Sequence, residues 1–318
     1  MRKILLIKTS SLGDVVHNFP AVSDIRRNFP DALIDWVVEE AYLPLVQLHP
    51  GVRRGIPVAI RRWRRRPLKV ATWTEMRKLR QTFKHHYYDA VIDTQGLIKS
   101  ALLAAAAQGR RHGFDASSAR EPIAARFYDV CHHVARDQHA VFRNRDLVAR
   151  ALGYRTSEAV NYGLRSAESY TRVARESRIV LLHSTSRADK HWPEDQWTEL
   201  GKLLEAAGAG VVLPWGSNSE RLRSERIASS LRHAQIPEAL SMPAVATLLE
   251  QCSGVAGLDT GLTHLAAALG TPVAAIYCAT DPGLTGVYGA ARAQNIGGPG
   301  QAPQARQVFE ALQICGAM

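Results

Sequence analysis

Apolar positions in this chain fall into two kinds of block. Short continuous runs such as "KILLI", "IVLL" and "VAAIY" have the pattern of strands buried on both faces. Longer stretches repeat their apolar residues every three or four positions, the pattern of helices with one buried face. In the first half this predicts strands over 3–8, 33–38 and 90–93, with helices over about 15–28, 73–84, 97–107 and 140–152. The second half restarts with strands over 179–183, 210–214, 254–258 and 273–277, and helices over 193–207, 219–230 and 261–269. Alternation of this kind predicts βαβ units and parallel sheets, which bind ligands at the carboxyl ends of their strands. The polar stretch 152–178 lacks a strong period and reads as a linker. The fold class expected is therefore α/β, with two Rossmann-like doubly wound domains, 1–160 and 161–318; a C-terminal helix could pack back on the first.

Composition narrows the setting. The chain has 318 residues, 46% apolar and 22% charged, as a globular protein of two ordinary domains does. No apolar run approaches the ~20 residues of a membrane span, and no basic segment followed by an apolar one opens the chain. The four cysteines (131, 252, 278, 315) form no C-x-x-C pair, which fits a reducing cytoplasm. The net charge of +11 predicts an anionic partner; nucleic acid, acidic lipid and sugar nucleotide all qualify.

Three strand ends carry candidate chemistry. After the first strand comes "KTSSLGDVVHNFPAV", where Ser10, Ser11 and Gly13 lead to Asp14. Gly13 would permit a tight turn and close ligand approach. Asp14 could cap the following helix or act as a general base. The second is "LLHSTSRADKHWPEDQW", in which Thr185 and Ser186 offer hydroxyls and Lys190 a point charge suited to a diphosphate. The third is "GLDTGLTHLAAALG". Here Asp259, Thr260 and Gly261 turn the chain into a helix whose free N–H groups form an anion site, with His264 one turn in. G-x-G-x-x-G, the P-loop motif and D-x-D are all absent, which counts against a dinucleotide oxidoreductase, a P-loop enzyme and a metal-bridged diphosphate. The pairs His85-His86 and His132-His133 lack metal-ligand spacing.

"VAIRRWRRRPLK" gathers Arg61, Arg62, Arg64, Arg65, Arg66 and Lys69 around Trp63. Like charges so close predict an extended, loosely held loop that closes on phosphates or lies on an anionic membrane. No nucleic-acid recognition module accompanies it.

Taken in order, "KTSSLGDVVHNFPAV", "IDWVVEE", "IPVAIRRWR", "YDAVIDTQGLIKSA", "AREPIA", "DKHWP", "LPWGS" and "DTGLTHLAAALGTPVAAIYCATDPG" resemble the family of ADP-heptose:lipopolysaccharide heptosyltransferases that act first on the core. The resemblance spans Lys3 to about Gly289; the tail beyond carries no motif. It implies a GT-B fold, two Rossmann-like domains facing each other across a cleft. It also implies an inverting transfer of L-glycero-D-manno-heptose from ADP-heptose to the inner Kdo of Kdo2-lipid A, without cofactor or metal. The family's catalytic aspartate falls on Asp14, and its donor residues on Thr185, Ser186, Lys190, Glu220, Asp259, Thr260, Gly261 and His264, with the Leu240 backbone near adenine. Where the family often has Thr-Thr, this chain has Thr185-Ser186. Acceptor contacts fall on Ser10, Ser11 and Gly13 and on Arg61, Arg62, Arg64, Arg65 and Arg120. A cytoplasmic monomer held peripherally at the inner membrane is implied, with no nucleic-acid partner. The alternatives are a later-acting core heptosyltransferase, another ADP-sugar transferase of the same fold and, less well supported, a nucleotide-dependent oxidoreductase.

Overall fold

Ile4, Leu5, Leu6 and Ile7 are all buried, so the first strand is apolar on both faces, as a strand covered by helices on each side must be. It is the centre of a six-stranded parallel sheet: β1 (Lys3–Ile7), β2 (Leu33–Glu39), β3 (Val52–Val58), β4 (Tyr87–Asp93), β5 (Gln108–Phe114) and β6 (Val130–His132), in the order β3-β2-β1-β4-β5-β6. A second parallel sheet repeats the plan with β7 (Arg178–Leu182), β8 (Gly210–Val212), β9 (Ala234–Gln235), β10 (Gly254–Leu258), β11 (Val273–Tyr277) and β12 (Ala293–Gly297), ordered β12-β11-β10-β7-β8-β9. Both are doubly wound sheets. Their strand order reverses at β1/β4 and at β7/β10, where loops leave in opposite directions and open a ligand crevice.

The structure, a computed structural model, describes residues 2–164 and 177–318. It divides into two compact units, Met1–Gly163 and Leu164–Met318. Most of the expected linker, 165–176, lies outside the described residues.

Four features differ from the sequence-based expectation. Five strands lie outside the predicted set: β5, β6, β9 and β12 have no apolar run to reveal them, and β3 has one only at its end, in "IPVAI". In β3, "VRRGIPV", Arg53 and Arg54 reach the buried Asp35 of β2 at 2.7 and 2.8 Å, so ion pairing replaces the missing apolar side chains. The helix expected over 15–28 is two helices, Leu12–Val16 and Phe19–Asn28. Pro20 lacks the N–H that a continuous helix would bond back to Val16 and sits in the first turn of the second helix, where no such bond is needed, so the chain re-enters a helix rather than continuing one. Gly13 lies inside the first helix without a positive φ, so no turn requires it. The last helix, Ala305–Ile314, is built into its own unit: Val308, Phe309 and Leu312 belong to the second core, beside Trp192 and Trp197. The Trp192 indole N–H donates to Pro303 O at 2.8 Å and pins the entry to that helix.

Candidate active site

The β1/β4 crevice is organised from below by Lys8, fully buried at the end of β1. Its Nζ donates to Thr94 O (2.8 Å) and to Asn144 Oδ1 (3.3 Å). Burial holds the ammonium below its ordinary pKa; among neighbouring charges Asp14 opposes this most strongly, then Asp93. The turn above is fixed by Gln95, whose Oε1 accepts from the N–H groups of Thr9 (3.0 Å) and Ser10 (3.2 Å). Ser10 Oγ accepts from Lys99 Nζ at 3.0 Å. Asp14 then stands in the first turn of helix Leu12–Val16. Its Oδ2 accepts from Ser11 N–H (2.7 Å) and Ser11 Oγ–H (3.1 Å). Ser11 and not Asp14 is the N-cap of that helix; Asp14 is its third residue and reaches back to the N-cap N–H, which occupies one carboxylate oxygen, while Oδ1 receives no hydrogen bond from a described residue.

Cations gather around this carboxylate. Burial lowers the Lys99 pKa first of all; Glu39 and Asp14 favour its charge, whereas Arg61 and Arg64 oppose it, so both arginines act at this strand end. Arg120 acts on Lys8 in the same way, and Glu121 N–H donates to Gly96 O (3.0 Å), which anchors the Arg120 segment at the end of β4. Lys8, Gln95 and Lys99 were not singled out as site residues in the sequence. The available signal was their place in "IKTSS" and "DTQGLIKS", directly after two strands.

The basic run is a helix, Ile60–Arg65, and not a loose loop. Carboxylates remove the repulsion that predicted otherwise. Glu39 accepts from the Arg61 N–H (3.0 Å) at the helix start. Arg62 is held by Glu40 and Glu75, each at 2.9 Å, and Trp63 Nε1 donates to Glu75 at 2.7 Å. Arg62 is thereby occupied, while Arg64 and Arg65 are exposed and Arg61 lies over the Tyr42 ring. Charge reversal of Arg64 is expected to raise the KM for an anionic acceptor about tenfold, the scale of one charge-assisted hydrogen bond. Donor KM should not change, and the effect should shrink as salt rises. Arg62→Ala should instead lower the melting temperature with little change in acceptor KM. Steady-state kinetics and thermal melts of the two variants check the assignment; equal acceptor defects in both would contradict it.

In the second unit, three strand ends converge on one carboxylate. Asp259 follows β10. Its Oδ2 accepts from Lys190 Nζ (2.6 Å), carried by the loop after β7, and from Thr280 Oγ1 (2.6 Å), just beyond β11. Its Oδ1 lies 3.4 Å from His264 Nε2, one turn into helix Gly261–Ala268. Burial alone would raise the Asp259 pKa. The His264, Lys190 and Thr280 hydrogen bonds outweigh it and hold the carboxyl far below the usual range. Lys190 is therefore aimed by Asp259 rather than free. Its side chain keeps 17% exposure beside the N-terminus of that helix. Thr280, in "CATDPG", was missed because a lone threonine after a strand has no distinguishing pattern.

Of the other expected donor residues, Thr260 is the N-cap of helix Gly261–Ala268, and Gly261 is its first residue, without positive φ. Thr185 accepts from His191 Nε2 through its carbonyl (3.1 Å), and Ser186 is exposed beside it. Glu220 sits in the first turn of helix Asn218–Ala228, its Oε2 accepting from Gly216 N–H at 2.7 Å. Next to it opens a cavity of about 500 Å³ lined by Trp215, Arg221, Glu225 and residues 236–239; Leu240 follows directly. Trp215 is fixed by its indole N–H to Pro237 O (2.8 Å) and by Arg221 over its ring. Among the described residues, no group of three or more His, Cys, Asp or Glu could hold a metal ion, and no helix is long and apolar enough to cross a membrane.

Known proteins share both sequence and fold with this chain. Residues 76–311 match glycosyltransferase family 9 (heptosyltransferase). Lipopolysaccharide heptosyltransferase 1 of Escherichia coli K12 is 42% identical over 290 residues, covering 90% of this chain and 91% of the relative. Its counterpart from Pseudomonas aeruginosa is 44% identical over 289 residues, covering 90% and 81%. The structure of E. coli heptosyltransferase WaaC with ADP superposes with a TM-score of 0.92 at 40% identity, over 98% of this chain and 99% of that one. The same enzyme with ADP-2-deoxy-2-fluoro heptose gives 0.86 at 39% identity, over 98% of each.

Proposed function

The chain belongs to glycosyltransferase family 9, the heptosyltransferases, and transfers heptose in lipopolysaccharide inner-core synthesis; from that premise we propose that it moves L-glycero-D-manno-heptose from ADP-heptose to the inner Kdo of Kdo2-lipid A with inversion. Two observations carry the mechanism, one within each unit: a half-engaged carboxylate at the β1/β4 switch point and an aimed ammonium at the β7/β10 switch point. The acceptor is held by the first unit, its anionic groups met by Arg61, Arg64, Arg65, Lys99 and Arg120. Its hydroxyl meets the unused Oδ1 of Asp14. As that oxygen bonds to C1 of the heptose, the proton passes to Asp14 and the bond from C1 to the β-phosphate oxygen breaks. ADP leaves with the electron pair. Lys190 and the N–H groups at Gly261 meet the charge that grows there. The cavity beside Trp215 takes the adenine, and Glu220, next to it, the ribose.

In this reading Lys190 and the helix N-terminus neutralise the diphosphate, so no metal or other cofactor is required. The enzyme works as a monomer at the cytoplasmic face of the inner membrane, where its lipid acceptor is made. Nucleic acid is not a partner.

Release of ADP from ADP-heptose is the deciding measurement, run in EDTA with Kdo2-lipid A and, in parallel, with the same acceptor already carrying one heptose. Turnover is expected with the first acceptor only. Preference for the second would make this a later-acting core transferase, and a requirement for added Mg²⁺ would overturn the role given to Lys190.

A further inference from the structure

Leu68, Val70 and Trp73 are 91%, 81% and 62% exposed. The turn that presents them is not loose. Lys69 N–H and Thr72 Oγ–H both donate to Arg66 O, at 3.3 and 2.9 Å, and Thr72 N–H donates to Lys69 O at 2.9 Å. The chain therefore fixes these apolar side chains in water, which is costly without a partner.

The helix that follows, Val70–Lys84, buries Thr72 and Phe83 and packs Leu79 on the first core. At roughly 100° per residue, Val70, Trp73, Arg77, Arg80 and Lys84 fall along one exposed flank about 120° round from that buried stripe. That line is apolar where it meets Leu68 and cationic further on. Arg65, Arg66 and Lys69 flank the apolar end, all exposed. None of Arg65, Arg66, Lys69, Arg77 and Arg80 makes an ion pair with a described residue, while the nearby Glu40 and Glu75 are taken up by Arg62.

We propose that this face docks the protein on an anionic phospholipid bilayer, with Leu68, Val70 and Trp73 entering the interface and Arg66, Lys69, Arg77 and Arg80 on the headgroups. The inference rests on the reading above, in which the acceptor is a membrane lipid. The chemistry favours a bilayer over other anions. Nucleic acid or free phosphate would satisfy the cations and leave the aliphatic side chains in water. A bilayer accepts both, since cations add to weak apolar insertion and Trp suits the interfacial zone. Three apolar side chains with a few cations give reversible attachment, which an enzyme that visits many acceptor lipids requires.

Flotation with vesicles of phosphatidylethanolamine and phosphatidylglycerol, free of acceptor lipid, tests the proposal. The wild type should bind them and bind phosphatidylcholine vesicles weakly. Leu68→Ser/Val70→Ser/Trp73→Ser should lower the partition coefficient at least about tenfold, because all three apolar side chains that would leave water are lost at once. Lys69→Glu/Arg77→Glu/Arg80→Glu should lower it too, with the difference fading in high salt. Both variants should keep the wild-type melting temperature and the wild-type turnover on an acceptor stripped of its acyl chains. The proposal is overturned if the wild type ignores acceptor-free vesicles or if the triple apolar variant binds them as the wild type does. Binding that needs Kdo2-lipid A in the vesicle would also overturn it, because the surface would then take the acceptor's own chains. Variant-sensitive vesicle binding in an enzyme that turns over no Kdo acceptor would uphold the docking face and remove the proposed reaction instead.

Discussion

Asp14→Asn is expected to cut turnover by ~10²–10⁴-fold, the usual loss when a positioned base is removed, while the affinity for ADP-heptose stays at the wild-type value. Asparagine is an apt replacement because it separates two roles of this side chain. Its carbonyl oxygen can still accept from the N-cap Ser11 N–H, as Asp14 Oδ2 does at 2.7 Å. The fold and melting temperature should therefore hold. Only the capacity of the outer oxygen to take a proton is lost. The proposed donor residues all belong to the second unit, so calorimetric titration with ADP-heptose should show no change. Single-turnover kinetics on Kdo2-lipid A isolate the chemical step. Near-normal single-turnover rates in this variant would leave Asp14 as the partner of a helix cap and nothing more.

Lys190→Ala should weaken ADP-heptose binding and lower kcat together, with the larger loss in kcat. In the proposed reaction the ammonium faces the diphosphate in the ground state, and the charge it meets grows as ADP departs. Removing one such donor elsewhere costs about 10²–10³-fold in rate, and a comparable loss is expected here. Asp259→Asn supplies the comparison. It keeps the ammonium but replaces the carboxylate that aims it at 2.6 Å, so it should reduce kcat less than Lys190→Ala. Stability has a definite pH dependence as well. The folded Asp259 pKa is depressed, chiefly against its own burial, by His264, Lys190 and Thr280. A depressed carboxyl stabilises the fold above its unfolded pKa near ~3.9, and that contribution is lost as pH falls through the lower folded value. In Lys190→Ala one of the holds is gone and the folded pKa moves back toward the unfolded one, so the variant should be less stable at neutral pH and lose less further stability on acidification than the wild type. Thermal melts from pH 7 downward would show the shallower acid limb. Superimposable acid limbs would mean that the pair is not coupled in the folded protein.

Much of this protein was legible because its central strands must be apolar on both faces. Past their first residues Lys3 and Arg178, β1 and β7 are buried, as are β10 and β11 throughout, and that coverage writes itself as continuous runs of Ile, Leu, Val, Ala and Gly, closed by Tyr277. The strand ends follow from the same runs, so Asp14, Lys190 and Asp259 could be placed at carboxyl termini before any tertiary contact was known. Motif order then pointed to the family. What only the tertiary structure decided depends on partners distant in the chain. β3 is a strand because Asp35 of β2 compensates Arg53 and Arg54. The run "RRWRRR" forms a helix because Glu39, Glu40 and Glu75 surround it, two from the end of β2 and one from the next helix. Asp14 keeps one oxygen unengaged by any described residue because Ser11 takes the other, and Lys190 points where it does because Asp259 and Thr280 arrive from two other strands. Local pattern reports what a residue must avoid, chiefly water or a missing N–H. Charge pairing is settled by whichever opposite charge the fold brings within about 3 Å, and a single sequence carries no period or spacing that encodes it.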